Sequence, residues 1–222
     1  MSEQQSAPTP ILVDSLQQSV SKEAAPLLNF VLRNIKAIAV GLVVLVGLIS
    51  GAGIYNYMQE KNIADAQATL AELSGGASTE SQINALKAFA DEAPAKVRPA
   101  ALLALANASL RVRDYPVAIE AWKALRNENI GSMNDMAAMG ISDALARSGD
   151  FKGAQAELES ALPTVSKAYE LTLKHQLALM AEKSGDLARA LALNNELAES
   201  VPAANKAFYT HKIALLKNKL GK

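Results

Sequence analysis

The chain has 222 residues, 50% of them apolar, and its 22 Lys plus Arg balance 22 Asp plus Glu to a formal net charge of zero. That balance argues against a nucleic-acid binder, which carries a basic excess, and the apolar fraction argues against a wholly disordered chain. There is no Cys, which excludes disulfides, thiolate zinc sites, iron–sulfur clusters, a Cys nucleophile and a bacterial lipoprotein anchor.

Residues 1–34 read as a cytoplasmic N-terminal tail, polar and Pro-containing at its start (MSEQQSAPTP). Next comes an uncharged run between Lys36 and Glu60, with the core AIAVGLVVLVGLISGAGIY. About 20 apolar residues in a helix cross the ~30 Å hydrocarbon core. The run is therefore expected to form a single transmembrane helix over 35–58. Tyr55 and Tyr57 stand where an interfacial aromatic belt would lie. Lys22, Arg33 and Lys36 precede the run and Lys61 alone follows closely, so the positive-inside rule sets the N-terminus in the cytoplasm. The remainder, 59–222, is then periplasmic, and the protein a single-pass protein of the bacterial inner membrane. Gly47 and Gly51 have the small-residue spacing of closely packed membrane helices. They are expected to pack against another span, which allows a homo-oligomer.

Beyond the run, Ile63, Ala66, Leu70 and Leu73 keep a helical spacing of three and four. Gly75 and Gly76 then end that helix. The rest is best compared with itself. Asp114, Asp150 and Asp186 are spaced 36 apart and are followed by Tyr115, Phe151 and Leu187. Four after each Asp is Ala118, Ala154 or Ala190. Eight before stand the small Ala106, Ser142 and Ala178, and nine before the apolar Leu105, Ile141 and Leu177. Each repeat reads as helix, turn, helix. The small residues sit where two antiparallel helices approach most closely. Gly149 and Gly185 suit the end of a first helix, Asp caps the second, and Pro116 fits a first helical turn. Thr79 and Gln82 have the spacing of a capping box.

These residues resemble a tetratricopeptide repeat, best in SGDFKGAQAELESAL. The fold class is accordingly all-α: the transmembrane helix, then a solenoid of about four helix pairs at about 63–98, 99–134, 135–170 and 171–206, with a C-terminal cap at 207–222. Phe208, Ile213, Leu215, Leu216 and Leu220 are expected to face the preceding repeat. Lys206, Lys212, Lys217 and Lys219 are expected to face water. The whole layout resembles the YfgM-like ancillary subunits of the SecYEG translocon. That resemblance implies a membrane-anchored interaction module or chaperone-like adaptor, with the translocon, periplasmic chaperones and secreted proteins as partners. A scaffold for another envelope machine (cytochrome maturation, secretion or division) is the alternative.

No chemistry is legible. His175 and His211 fall on different predicted helices, without H-E-x-x-H spacing, and no phosphate loop or nucleophile elbow is present. The chain is expected to be no enzyme and to need no cofactor or metal. By analogy with tetratricopeptide repeats, the first helices line a concave groove. At the 36-residue period this groove is expected to carry Leu103, Met139 and His175, then Asn107, Asp143 and Leu179, then a basic edge of Arg111, Arg147 and Lys183. Such an edge suits acidic side chains or a chain-terminal carboxylate.

Overall fold

The computed structural model describes residues 33–76 and 79–221. The chain divides into two units, Met1–Lys61 and Asn62–Lys222. In chain order the α-helices are α1 (Ile35–Ser74), α2 (Glu80–Glu92), α3 (Arg98–Val112), α4 (Tyr115–Asn127), α5 (Met133–Arg147), α6 (Phe151–Ala161), α7 (Lys167–Ser184), α8 (Leu187–Ser200) and α9 (Ala203–Lys219). A 3₁₀ turn, Leu162–Thr164, follows α6. There is no strand among the described residues.

Among the described residues, no helix is long and apolar enough to cross a membrane. This corrects the transmembrane helix expected over 35–58. The apolar run lies in the 40-residue α1, which continues, as the spacing of Ile63, Ala66, Leu70 and Leu73 predicts, through Glu60, Lys61, Asp65 and Glu72 to Ser74. The orientation drawn from Lys22, Arg33 and Lys36 loses the crossing helix on which it rested. The expected tail lies almost wholly, and the Gly47–Gly51 packing face wholly, outside the residues whose side chains are described.

In the second unit each helix from α2 to α9 packs on the next, and α5 also touches α7. Three complete pairs result: α3 with α4, α5 with α6, and α7 with α8. The expected first pair is reduced. Here α2 is the second helix, and Leu70 and Leu73 at the end of α1 pack against the same core. One apolar cluster joins Ile83, Leu86, Leu105, Trp122, Leu125 and Ile141, and a second joins Leu158, Leu173, Leu177, Leu193, Leu197 and Tyr209.

The turns follow the expected logic. Asp114, Asp150 and Asp186 each accept a hydrogen bond from the backbone N–H three residues on, at 3.3, 2.8 and 3.0 Å. Each therefore satisfies an N–H that the helix itself leaves without a partner. Ala106 and Ser142 are fully buried and Ala178 is 5% exposed. Thr79 caps α2 through the N–H of Gln82, but the Gln82 side chain donates to the carbonyl of Leu73 instead of accepting from the Thr79 N–H. That half of the expected capping box instead ties α2 to the end of α1.

Salt links join neighbouring second helices. Lys87 of α2 meets Glu120 of α4 at 3.4 Å, Arg126 of α4 meets Glu157 of α6, and Arg189 of α8 grips both oxygens of Glu159 at 2.7 and 2.9 Å. The fork of Arg189 is the geometry that best resists solvent competition.

The terminal helix departs from expectation. Tyr209 and Leu216 are its buried residues, while Phe208 is 57% and Leu215 46% exposed. Lys212 and Lys219, expected in water, clasp Glu182 of α7 at 2.6 and 3.0 Å. The buried line of α9 thus runs through Tyr209 and Leu216, with both lysines reaching one carboxylate beside it.

Candidate protein-binding groove

The first helices α3, α5 and α7 carry the nine expected groove residues, three to a helix at intervals of four, so those on each helix share a face. The structure gives them unequal surroundings. Leu103 is half-buried and lines an apolar cavity of about 540 Å³ between α3 and α5. Pro99 from α3, Met133 and Met136 from α5, and Ile130 from the loop before it complete the wall, with Lys96 beside them. Ile130 is 41% exposed, so the cavity opens to solvent beside an apolar side chain. Asn107 and Arg111, further along α3, are exposed.

On α5, Met139 is half-buried against the second core cluster, and its carbonyl accepts from the Gln176 amide at 3.0 Å. That bond fixes α7 against α5. Asp143 and Arg147 face each other one turn apart at 2.7 Å. On α7, Lys183 stands 5.7 Å from the centroid of the Phe151 ring, a cation–π contact. Arg147 and Lys183 of the basic edge are thus engaged within the chain.

His175 and Leu179 come together with Asn194, Phe208 and Lys212 around a small cavity of about 80 Å³. The Tyr209 hydroxyl lies 3.3 Å from His175 Nδ1, with donor and acceptor set by the tautomer. The rings of His175, Phe208 and Tyr209 form a tilted and edge-on set with centroids 5.1–6.3 Å apart, the arrangement that aromatic quadrupoles favour. Here α9 overlies the groove side of α7.

The electrostatics are structural. The hydrogen bond from Lys212 holds the Glu182 carboxyl below the usual glutamate range, and Lys219 adds to it against the cost of burial. The Arg189 backbone N–H holds Asp186 low, helped by the Gln155 amide. Among the described residues no group of three His, Asp or Glu side chains could hold a metal ion.

Residue-by-residue reading missed Met133, Met136, Pro99 and Ile130, which shape the larger cavity. A signal was present. Met136 stands one turn before Met139, and Pro99 one turn before Leu103, on faces already identified as groove-lining.

The sequence matches the model of the tetratricopeptide repeat-like domain family over residues 29–190. The chain belongs to that family. The match spans all nine expected groove residues and every complete helix pair up to the start of α8. No curated protein matches the chain. As in tetratricopeptide repeat-like proteins generally, the solenoid is a protein-interaction module, and its period here is 36 residues where 34 is usual.

Proposed function

We propose that this tetratricopeptide repeat-like module is an ancillary subunit of protein translocation, or a chaperone-like adaptor, that holds segments of secreted proteins in the periplasm. The observation that carries the binding role is the open apolar cavity of about 540 Å³ between α3 and α5. Its Met-lined wall suits an apolar side chain of variable shape, because the thioether chain adapts to what it meets. An extended or helical client segment would anchor one such side chain there and lie along α3 and α5. Support for the translocation role comes from the share of the resemblance to YfgM-like subunits that the repeat region carries.

Affinity capture on the full chain, read by mass spectrometry, tests this. Translocon subunits or secreted precursors should be recovered with the wild type and lost with Leu103→Glu or Met136→Glu. Recovery of cytochrome-maturation or division proteins instead would favour the envelope scaffold. Equal recovery by wild type and both variants would remove the cavity from the binding site.

A further inference from the structure

In each complete pair the second helix covers an apolar residue followed by a small one on the first helix. Leu105–Ala106, Ile141–Ser142 and Leu177–Ala178 fill this role, and none of the six is more than 5% exposed. Thirty-six residues beyond Leu177 and Ala178, α9 repeats the signature as Ile213 and Ala214. There Ile213 is half-buried and Ala214 is exposed. Among the described residues α9 packs on α8, and no further helix covers this face.

The face is continuous. Lys206, Thr210, Ile213 and Lys217 follow one another at steps of four, three and four, Ala214 lies one turn beyond Thr210, and the half-buried Ile213 joins this face to the buried Tyr209 and Leu216. The Thr210 hydroxyl donates within the helix to the carbonyl of Lys206 at 3.0 Å, so it has no proton left to offer a partner. The centre of the face is therefore small and apolar. A solenoid end that is merely solvated carries a polar outer face.

Charge then selects the occupant. From Ala203 to Lys219, α9 contains no Asp or Glu. Lys212 and Lys219 are taken up by Glu182, whereas Lys206 and Lys217, at the two ends of the face, make no ion pair among the described residues. A second copy laid on this face would oppose lysines to lysines with no acid on either helix, which is unfavourable. We propose that this face of α9 docks an amphipathic helix of a partner protein, small and apolar along its contact stripe and carrying Asp or Glu at both ends. That helix takes the place of the second helix of a further pair, a surface separate from the cavity between α3 and α5.

The probe is a synthetic helical peptide with an Ala/Leu stripe and Glu at both ends of it, beside a counterpart with Lys in place of Glu. Binding to the full chain is read by fluorescence anisotropy. The acidic peptide should bind about fivefold or more tighter than the basic one, the ratio that two exposed ion pairs supply. The preference should shrink at high salt and reverse in the Lys206→Glu/Lys217→Glu variant. Ala214→Trp, at an exposed position, should abolish binding of the acidic peptide without lowering the melting temperature. Absence of binding, equal binding of both peptides, or binding that survives Ala214→Trp overturns the proposal. So does a dimer of the full chain in sedimentation equilibrium that Ala214→Trp dissolves, since the face would then belong to a second copy.

Discussion

The indole of Trp122 on α4 occupies the space that a side chain at position 140 on α5 would need. A Cβ built on Gly140 overlaps Cε2, Cδ2 and Cζ2 of that ring. Trp122 is 7% exposed, so the ring cannot swing into solvent. Gly140→Ala gains about 1 kcal/mol of helix propensity but overpacks a filled site, at about 1–3 kcal/mol for such insertions. Because the clash is with a rigid ring, a net loss of about 1–2 kcal/mol is expected in chemical denaturation. In a Trp122→Leu background the same change should turn neutral or stabilising. A neutral Gly140→Ala in the wild-type background would show that the two helices part without cost.

The turn after each first helix needs a left-handed residue. Gly149 and Gly185 take it at φ 92° in both cases, but the first turn uses Arg113 at φ 65°. A non-glycine residue there costs roughly 1–2 kcal/mol of steric energy. Glycine loses part of that gain through its freer unfolded state. Arg113→Gly should therefore raise stability by about 0.5–1 kcal/mol, and Gly149→Ala or Gly185→Ala should lower it by about 1 kcal/mol. Thermal melts of the three variants check the pattern, and opposite signs at Arg113 and Gly149 are its signature.

The repeat was legible because its physics is local. A capping carboxylate, a small residue at a close approach and a left-handed turn each leave a mark at a fixed interval, and Asp114, Asp150 and Asp186 landed where the period put them. The buried line of α9 was legible only in part. Of its expected stripe, Leu216 is buried and Ile213 and Leu220 are half-buried, but Phe208 and Leu215 are exposed and Tyr209 is buried in their place, and the pairing of Lys212 and Lys219 with Glu182 of a different helix is encoded by no spacing within α9. The cavity beside Leu103 was half legible. Its depth depends on how far α3 stands from α5, and no spacing within either helix encodes that distance. Composition overstated the run at 37–59, since no helix among the described residues is long and apolar enough to cross a membrane, whereas the continuation of the helix through Glu60, Asp65 and Glu72 to Ser74 follows the spacing of Ile63, Ala66, Leu70 and Leu73.

Acid should loosen the terminal helix. Glu182 has its pKa lowered by Lys212 first and by Lys219, so folding favours its charged form. The stabilisation is fully present above the ordinary glutamate range and is lost as pH falls through the lower folded value. Hydrogen exchange should show α9 losing protection on acidification while α3 and α4, which do not touch this carboxylate, keep theirs. Glu182→Gln should produce the same loss at neutral pH and make it independent of pH through that range. If acidification releases α3 and α9 together, the clasp is not what holds the end of the solenoid.

The basic edge of the groove separates a structural role from a binding one. Arg111, Arg147 and Lys183 all lie in the last turns of their helices, where a cation complements the helix dipole by about 0.3–1 kcal/mol each. Arg147 is bonded to Asp143, and Lys183 stands over Phe151, so these two charges already have work within the chain. Replacing all three with Gln should lower stability by about 1–2 kcal/mol, the sum expected of dipole terms that are partly screened. Capture of partners by the full chain should persist in that variant and should be lost only when Leu103 or Met136 is changed. The measurement pairs melting temperature with partner recovery at low and high salt. A triple variant that melts like the wild type but recovers nothing would mean that the charges read an acidic client rather than steady the helices. Salt-sensitive recovery by the wild type would point the same way.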